Sequence, residues 1–207
     1  MTLEQRSTFT PLPILIPSRT AMIHAITAAS LFALSVALKR PLGLETFTGE
    51  GVAQSRTGAV QEVAKNLGSM KPFRGLFIDD DIILPQQSIP KLARSIEFAD
   101  NRNLNIVAPV KLLNGRYNIN KTYEKDSTMN DEEVKALPDF ARIKIAGLGF
   151  YYGLIDPNYQ FRVGFNSKAN KFCGEDWNFF LDNNLPLNVL KGLNLGHVKE
   201  NVLWSEV

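Results

Sequence analysis

Hydrophobic and polar positions follow two rhythms along the first half of the chain. Short apolar runs closed by Pro, Gly or charged residues read as buried strands: "PILIP", "LETFT", "GLFID" and "NIVAPV". Between them the spacing is helical. "TAMIHAITAASLFALSVAL" predicts a helix that Ser18 is placed to cap and that ends near Lys39, Arg40 and Pro41. "VAQSRTGAVQEVAKNL" sets Val52, Ala59, Val60, Val63, Ala64 and Leu67 at helical intervals, and Gly68 stops it. "QQSIPKLARSIEFADNR" turns Ile89, Leu92, Ala93, Ile96 and Phe98 inward. Strand and helix in alternation predict an α/β domain with a mostly parallel central sheet.

The second half is less regular. Asn114-Gly115 in "LLNGRYNI" is a hairpin signal. "EKDSTMNDEEVKALPD" is polar and charged and reads as a mobile excursion. "ARIKIAGLGFYYGLID" returns to strand-like alternation, and "GEDWNFFLDNN" reads as a short helix begun by acidic residues. "LPLNVLKGLNLGHV" reads as a final strand and a tail, and residues 1 to 10 as a frayed terminus. No internal repeat or low-complexity tract interrupts the pattern.

Composition narrows the class. At 207 residues and 44% hydrophobic, the chain suits one globular domain. A net charge of +2 with no long basic run argues against a nucleic-acid binder. Cys173 is the single cysteine, which excludes an intramolecular disulfide and argues against a Cys-based zinc site. A reducing, cytoplasmic location fits. The uncharged stretch Thr20 to Leu38 just reaches the ~20 residues that span a bilayer. Its content of Thr20, His24, Thr27, Ser30, Ser35 and alanine favours a buried helix instead. No transmembrane span or signal peptide is expected, while peripheral membrane contact is left open.

The chemistry concentrates in "GLFIDDDIILP", where Asp79, Asp80 and Asp81 interrupt an apolar run. Two carboxylates ~4 Å apart repel by ~4 kcal/mol at an effective dielectric of about 20. The run falls at the end of the third strand, and open α/β sheets bind ligands beyond the carboxyl ends of their strands. In extended backbone Asp79 and Asp81 share one side and Asp80 takes the other. A hard cation such as Mg²⁺ or Mn²⁺ relieves the repulsion, and a bound phosphate can complete its coordination. A hydrated acidic turn accounts for the same residues without a ligand. Glu175 and Asp176 either favour a helix dipole or supply a general base. His197 is one of two histidines and reads as a ligand or as a structural residue.

Together these motifs resemble the GT-A family of nucleotide-sugar-dependent glycosyltransferases. "LFIDDDIILP" resembles its DxD motif, "ILIPSR" its first strand and nucleotide loop, and "VAQSRTGAVQEV" its Arg-bearing helix. "IAGLGFYYGLID" is similar to the glycine-rich acceptor-side segment, "GEDWNFF" to the ED motif, and His197 to a late metal-binding histidine. The resemblance covers most of residues 12 to 200 and implies a Rossmann-like nucleotide-binding half, about 11–110, with a smaller mixed acceptor-side half, about 111–207. The brevity of the chain points to a short viral or archaeal member. Asp81, with Asp79 and His197, would hold Mn²⁺ or Mg²⁺. Pro17, Ser18, Arg19, Arg56, Asp79 and Asp80 would line the site for the nucleotide-diphosphate sugar. Asp176, with Glu175 beside it, would deprotonate an acceptor hydroxyl of a glycan, protein or lipid, giving inversion. Trp177 would stack on a sugar or, the favoured reading, anchor its helix in the core. The second strand lacks the family's base-reading aspartate, and Glu45 or Glu50 would substitute. Two alternatives remain: a nucleotide-sugar-binding protein without turnover, and a haloacid-dehalogenase-like phosphatase. In the latter Asp79 would be the nucleophile and Asp81 the acid/base, although Ile83 replaces that family's usual Thr or Val.

Overall fold

The computed structural model describes residues 10–18, 22–49, 51–124, 127–198 and 202–204. In chain order the first half forms β1 (Leu12–Ser18), α1 (Ala25–Leu38), β2 (Leu42–Thr48), α2 (Val52–Asn66) and β3 (Phe73–Ile78). It continues with β4 (Ile82–Ile83), α3 (Ile89–Arg102) and β5 (Asn105–Val107). The second half adds β6 (Ile119–Asn120), α4 (Asp131–Ala136), β7 (Arg142–Ile143), β8 (Ile145–Ala146) and β9 (Phe150–Ile155). It ends with β10 (Gly164–Asn166), β11 (Lys171–Cys173), α5 (Glu175–Asp182), β12 (Leu187–Val189), β13 (Gly196–Val198) and β14 (Val202–Trp204).

Seven strands make one sheet in the order β2-β1-β3-β9-β5-β12-β7. The pairs β1–β2, β1–β3 and β5–β12 are parallel, whereas β9 runs antiparallel to both β3 and β5. β7 also pairs antiparallel with β12, so the architecture is α/β with a large mixed sheet that is mostly parallel in its core. All seven residues of β1 are buried, as a strand covered on both faces requires. Successive residues serve opposite cores. Ile14, Leu76, Ile106 and Tyr152 pack with Leu31 and Leu34 of α1 and Leu92 and Ile96 of α3. Leu15, Phe77, Val107 and Tyr151 pack with Val60 and Val63 of α2 and Phe179 and Phe180 of α5. This division is the two-residue period of the strand, repeated in register across four neighbours.

Several expectations change. Ser18 does not cap α1: the cap is His24, whose Nδ1 accepts from the Ile26 N–H at 3.3 Å. The charged stretch before residue 140 is not a mobile excursion throughout. It contains α4, closed by a reciprocal capping box between Asn130 and Glu133, with Met129 and Val134 fully in the core. Phe98 is half-buried and stacks on Phe140 with ring centroids 4.6 Å apart. Ala99 takes the deep position instead. The two halves also interlock, since β9 inserts between β3 and β5. Among the described residues no helix is long and apolar enough to cross a membrane.

Candidate active site

The parallel strands β1 and β3 end side by side, and β9 begins there because it runs the other way. At that end opens a cleft of about 410 Å³. Its lining comes from the ends of β1 and β3 and the starts of α2 and α5: Ser18, Arg56, Asp79, Asp80, Asp81, Glu175 and Asp176, with Pro17, Val52 and Ser55. Nearly every site residue expected from the sequence therefore meets in one place. Arg19 and Glu50 lie outside the described residues. Glu45 is turned to the α2 side, where its carboxylate accepts from Asn66 Nδ2 at 2.6 Å.

Arg56 organises the cleft. It sits one turn into α2 and is only 2% exposed. Its Nη2 donates to Asp79 Oδ1 at 3.0 Å and Oδ2 at 3.1 Å. Its Nη1 donates to Glu175 Oε1 at 2.9 Å and also to Asp176 Oδ1. One planar guanidinium thus ties the end of β3 to the start of α5. Burial alone would favour the neutral guanidine, but Asp176, Asp79 and Glu175 outweigh it and hold Arg56 above its ordinary pKa.

Asp176 is the perturbed acid. Desolvation raises its pKa, and the Glu175 and Asp79 charges add to this against the pull of Arg56, leaving it at about 6. Its side chain keeps 27% of its surface, so the carboxyl is enclosed yet reachable from the cleft. The Leu148 N–H bonds to it from the glycine-rich loop before β9. Gly147 permits that approach: a Cβ there would come within 2.8 Å of Asn118 Nδ2 and 3.3 Å of Asp176 Oδ2.

The other two aspartates face different partners. Ser18 Oγ donates to Asp80 Oδ2 at 2.7 Å, joining the ends of β1 and β3. Asp81 turns to His197, whose Nε2 lies 3.2 Å from Asp81 Oδ2. The small sheet β14-β13-β4 fixes this pair: His197 is in register with Ile82, and the Val198 N–H donates to the Asp81 carbonyl at 2.8 Å. His197 Nδ1 sits 2.8 Å from the Lys111 carbonyl oxygen, which can only accept, so Nδ1 carries a proton. In the neutral ring Nε2 then offers its lone pair to a carboxylate, which is repulsive unless a proton or a cation lies between them.

That arrangement fits a divalent cation. A metal-bound histidine usually gives its other N–H to a carbonyl, as His197 does. Among the described residues no three His, Cys, Asp or Glu groups form a metal cage. Mg²⁺ and Mn²⁺ do not need one, because they take one or two protein ligands and complete their shell with water and substrate phosphates. Charge leads the same way. Five carboxylates line the cleft beside one arginine, so an anionic ligand enters only with added positive charge.

Sequence reasoning missed Ser55, Val52 and Asn118, and the Lys111 carbonyl that sets the histidine tautomer. Trp177 is partly buried against the core, with Lys171 Nζ 3.7 Å above its ring, which matches its reading as an anchor. Comparison with protein-family models finds no match to the chain, and comparison with curated proteins finds none either.

Proposed function

We propose that this chain is a metal-dependent glycosyltransferase of GT-A type, moving a sugar from a nucleotide-diphosphate donor to an acceptor hydroxyl with inversion. The observation that carries this reading is the meeting of Asp79–Asp81, Glu175–Asp176 and Arg56 in one cleft, with His197 3.2 Å from Asp81. Mn²⁺ or Mg²⁺ held by Asp81 and His197 would supply the charge that offsets the leaving diphosphate.

The remaining chemistry belongs to the chain. Pro17, Ser18 and the Ser18-bound Asp80 form the wall for the nucleotide and ribose. Asp176, with its pKa near 6, is ionised at neutral pH and basic enough to take the acceptor proton. Arg56 fixes its orientation and holds Glu175 beside it. Arg56 also engages both oxygens of Asp79, which opposes the phosphatase alternative in which Asp79 attacks as a nucleophile.

The test is release of nucleoside diphosphate from a panel of nucleotide sugars in the presence of Mn²⁺. The reading expects at least one donor to be cleaved, with loss on chelation and in Asp81→Ala. A donor that stabilises the protein without turnover would favour the binding-protein alternative. Failure of every donor to bind or react would overturn the proposal.

A further inference from the structure

A second cleft, of about 380 Å³, lies at the other end of α5. α5 has eight residues and is about 12 Å long. Its first turn enters the acidic cleft, and Leu181 and Asn184 at its far end line this one. The lining is cationic: Lys121, Arg142, Lys144 and Lys168 surround a floor that includes Ile143 and Phe180, and no acidic residue takes part. We propose that this cleft binds a ligand carrying two or more phosphate or sulfate groups. The proposal is independent of the chemistry assigned to the acidic cleft.

Three observations support it. First, the cations come from separate parts of the chain: after β6, around β7 and in the β10–β11 turn. β7 is an edge strand of the large sheet, and charge on an edge blocks unwanted pairing. That role explains Arg142 and Lys144, whose alternation sends both to one side, but it does not bring Lys121 and Lys168 to meet them. Second, Glu133 is the one acid among the described residues that pairs with any of these four cations. Asp182 is held by Arg162 at 2.9 Å, and Glu133 lies 3.7 Å from Lys121. Among the described residues no carboxylate pairs with Arg142 or Lys144. Third, the carbonyl end of α5 would repel an anion. Lys168 covers it, with Nζ donating to the Leu181 carbonyl and, at 2.6 Å, to Asn184 Oδ1. Tyr123 is fixed alongside by Lys171, whose Nζ donates to its carbonyl at 2.6 Å. A bis-anion satisfies several cations at once, which a single chloride or carboxylate does not.

Calorimetric titration with inorganic pyrophosphate tests this, in EDTA so that no cation can recruit the probe to the acidic cleft. The expected result is saturable one-to-one binding that weakens at least tenfold in the Arg142→Glu/Lys144→Glu variant and is unchanged in Asp81→Ala. Arg142→Gln/Lys144→Gln is the milder control should charge reversal impair folding, and it is expected to weaken binding at least threefold. A parallel arm measures sedimentation with phosphatidylglycerol and phosphatidylcholine vesicles. Capture by phosphatidylglycerol without pyrophosphate binding would overturn the proposal, because that headgroup carries a single phosphate. Absence of pyrophosphate binding, or binding that both variants retain, would likewise overturn it.

Discussion

The two ends of α5 carry opposite chemistry under opposite physical conditions. At its start, Glu175 and Asp176 join Asp79 around a guanidinium that is 2% exposed, with Asp80 and Asp81 in the same cleft. At its far end, Lys121, Arg142, Lys144 and Lys168 are exposed. The net charge of +2 hides this separation completely. Enclosed charges must be paired or neutralised, so the acidic end is locked by Arg56 and perturbs the pKa of Asp176. Exposed charges can wait in water for a partner, at an affinity that salt screens over about 8 Å at physiological ionic strength.

The largest expected effect is on catalysis at the acidic end. Asp176→Asn is expected to lower kcat by about 10²–10⁴-fold, the usual contribution of a positioned general base. Steady-state assays with the donor identified by the panel would show it. Next comes Arg56→Met, which leaves three carboxylates facing one another. Breaking a buried pair of this kind costs about 3–5 kcal/mol. At about 2–4 °C per kcal/mol for a chain of this size, Tm should fall by roughly 10 °C, read by calorimetry. A comparable substitution at the basic end, Lys144→Met, should change Tm little, because a hydrated surface charge contributes less than about 1 kcal/mol.

The pH dependence sharpens the contrast further. Asp176 must be ionised to act as a base, so kcat/KM should fall as pH drops through about 6. Stability responds in the opposite sense. The folded pKa of Asp176 lies above its unfolded value, so its contribution is fully present below about pH 4 and is lost as pH rises through about 6. Asp176→Asn should therefore raise Tm at pH 8 and leave it nearly unchanged at pH 4, an inactive protein more stable than the active one. A small effect is expected for Ser18→Ala. It removes the hydrogen bond to Asp80 and should cost about 0.5–1.5 kcal/mol in a denaturant titration.

Much of the fold was legible in the sequence, for a local reason. β1, β3, α2 and α3 each carry their period in their own residues. The direction of β9 does not appear in any such pattern, since a buried strand reads the same whichever way it runs. α4 was missed because it announces itself through polar capping residues, Asn130 and Glu133, and contributes only Val134 of its own six residues to the core. Within the site, the carboxylates could be read because three aspartates in an apolar run are locally anomalous. Their individual hydrogen bonds could not, and only the family resemblance brought Ser18, Arg56 and His197 to the same site. Ser18 reaches Asp80 across 62 positions, and Arg56 reaches Asp176 across 120. Nothing near Lys111 signals that its carbonyl sets the protonation of His197 from 86 residues away. The basic cleft escaped notice because Lys121, Arg142, Lys144 and Lys168 are individually ordinary surface residues.

The central claim is that Asp81 and His197 hold a cation through which a diphosphate enters a cleft otherwise too negative to accept it. Mn²⁺ binding followed by the electron paramagnetic resonance of the free ion, with and without a panel of nucleoside diphosphates, tests it directly. The account predicts that one diphosphate tightens Mn²⁺ binding at least tenfold in the wild-type protein, and that Asp81→Ala and His197→Ala abolish the gain. Equal Mn²⁺ and diphosphate binding in wild type and Asp81→Ala would contradict it.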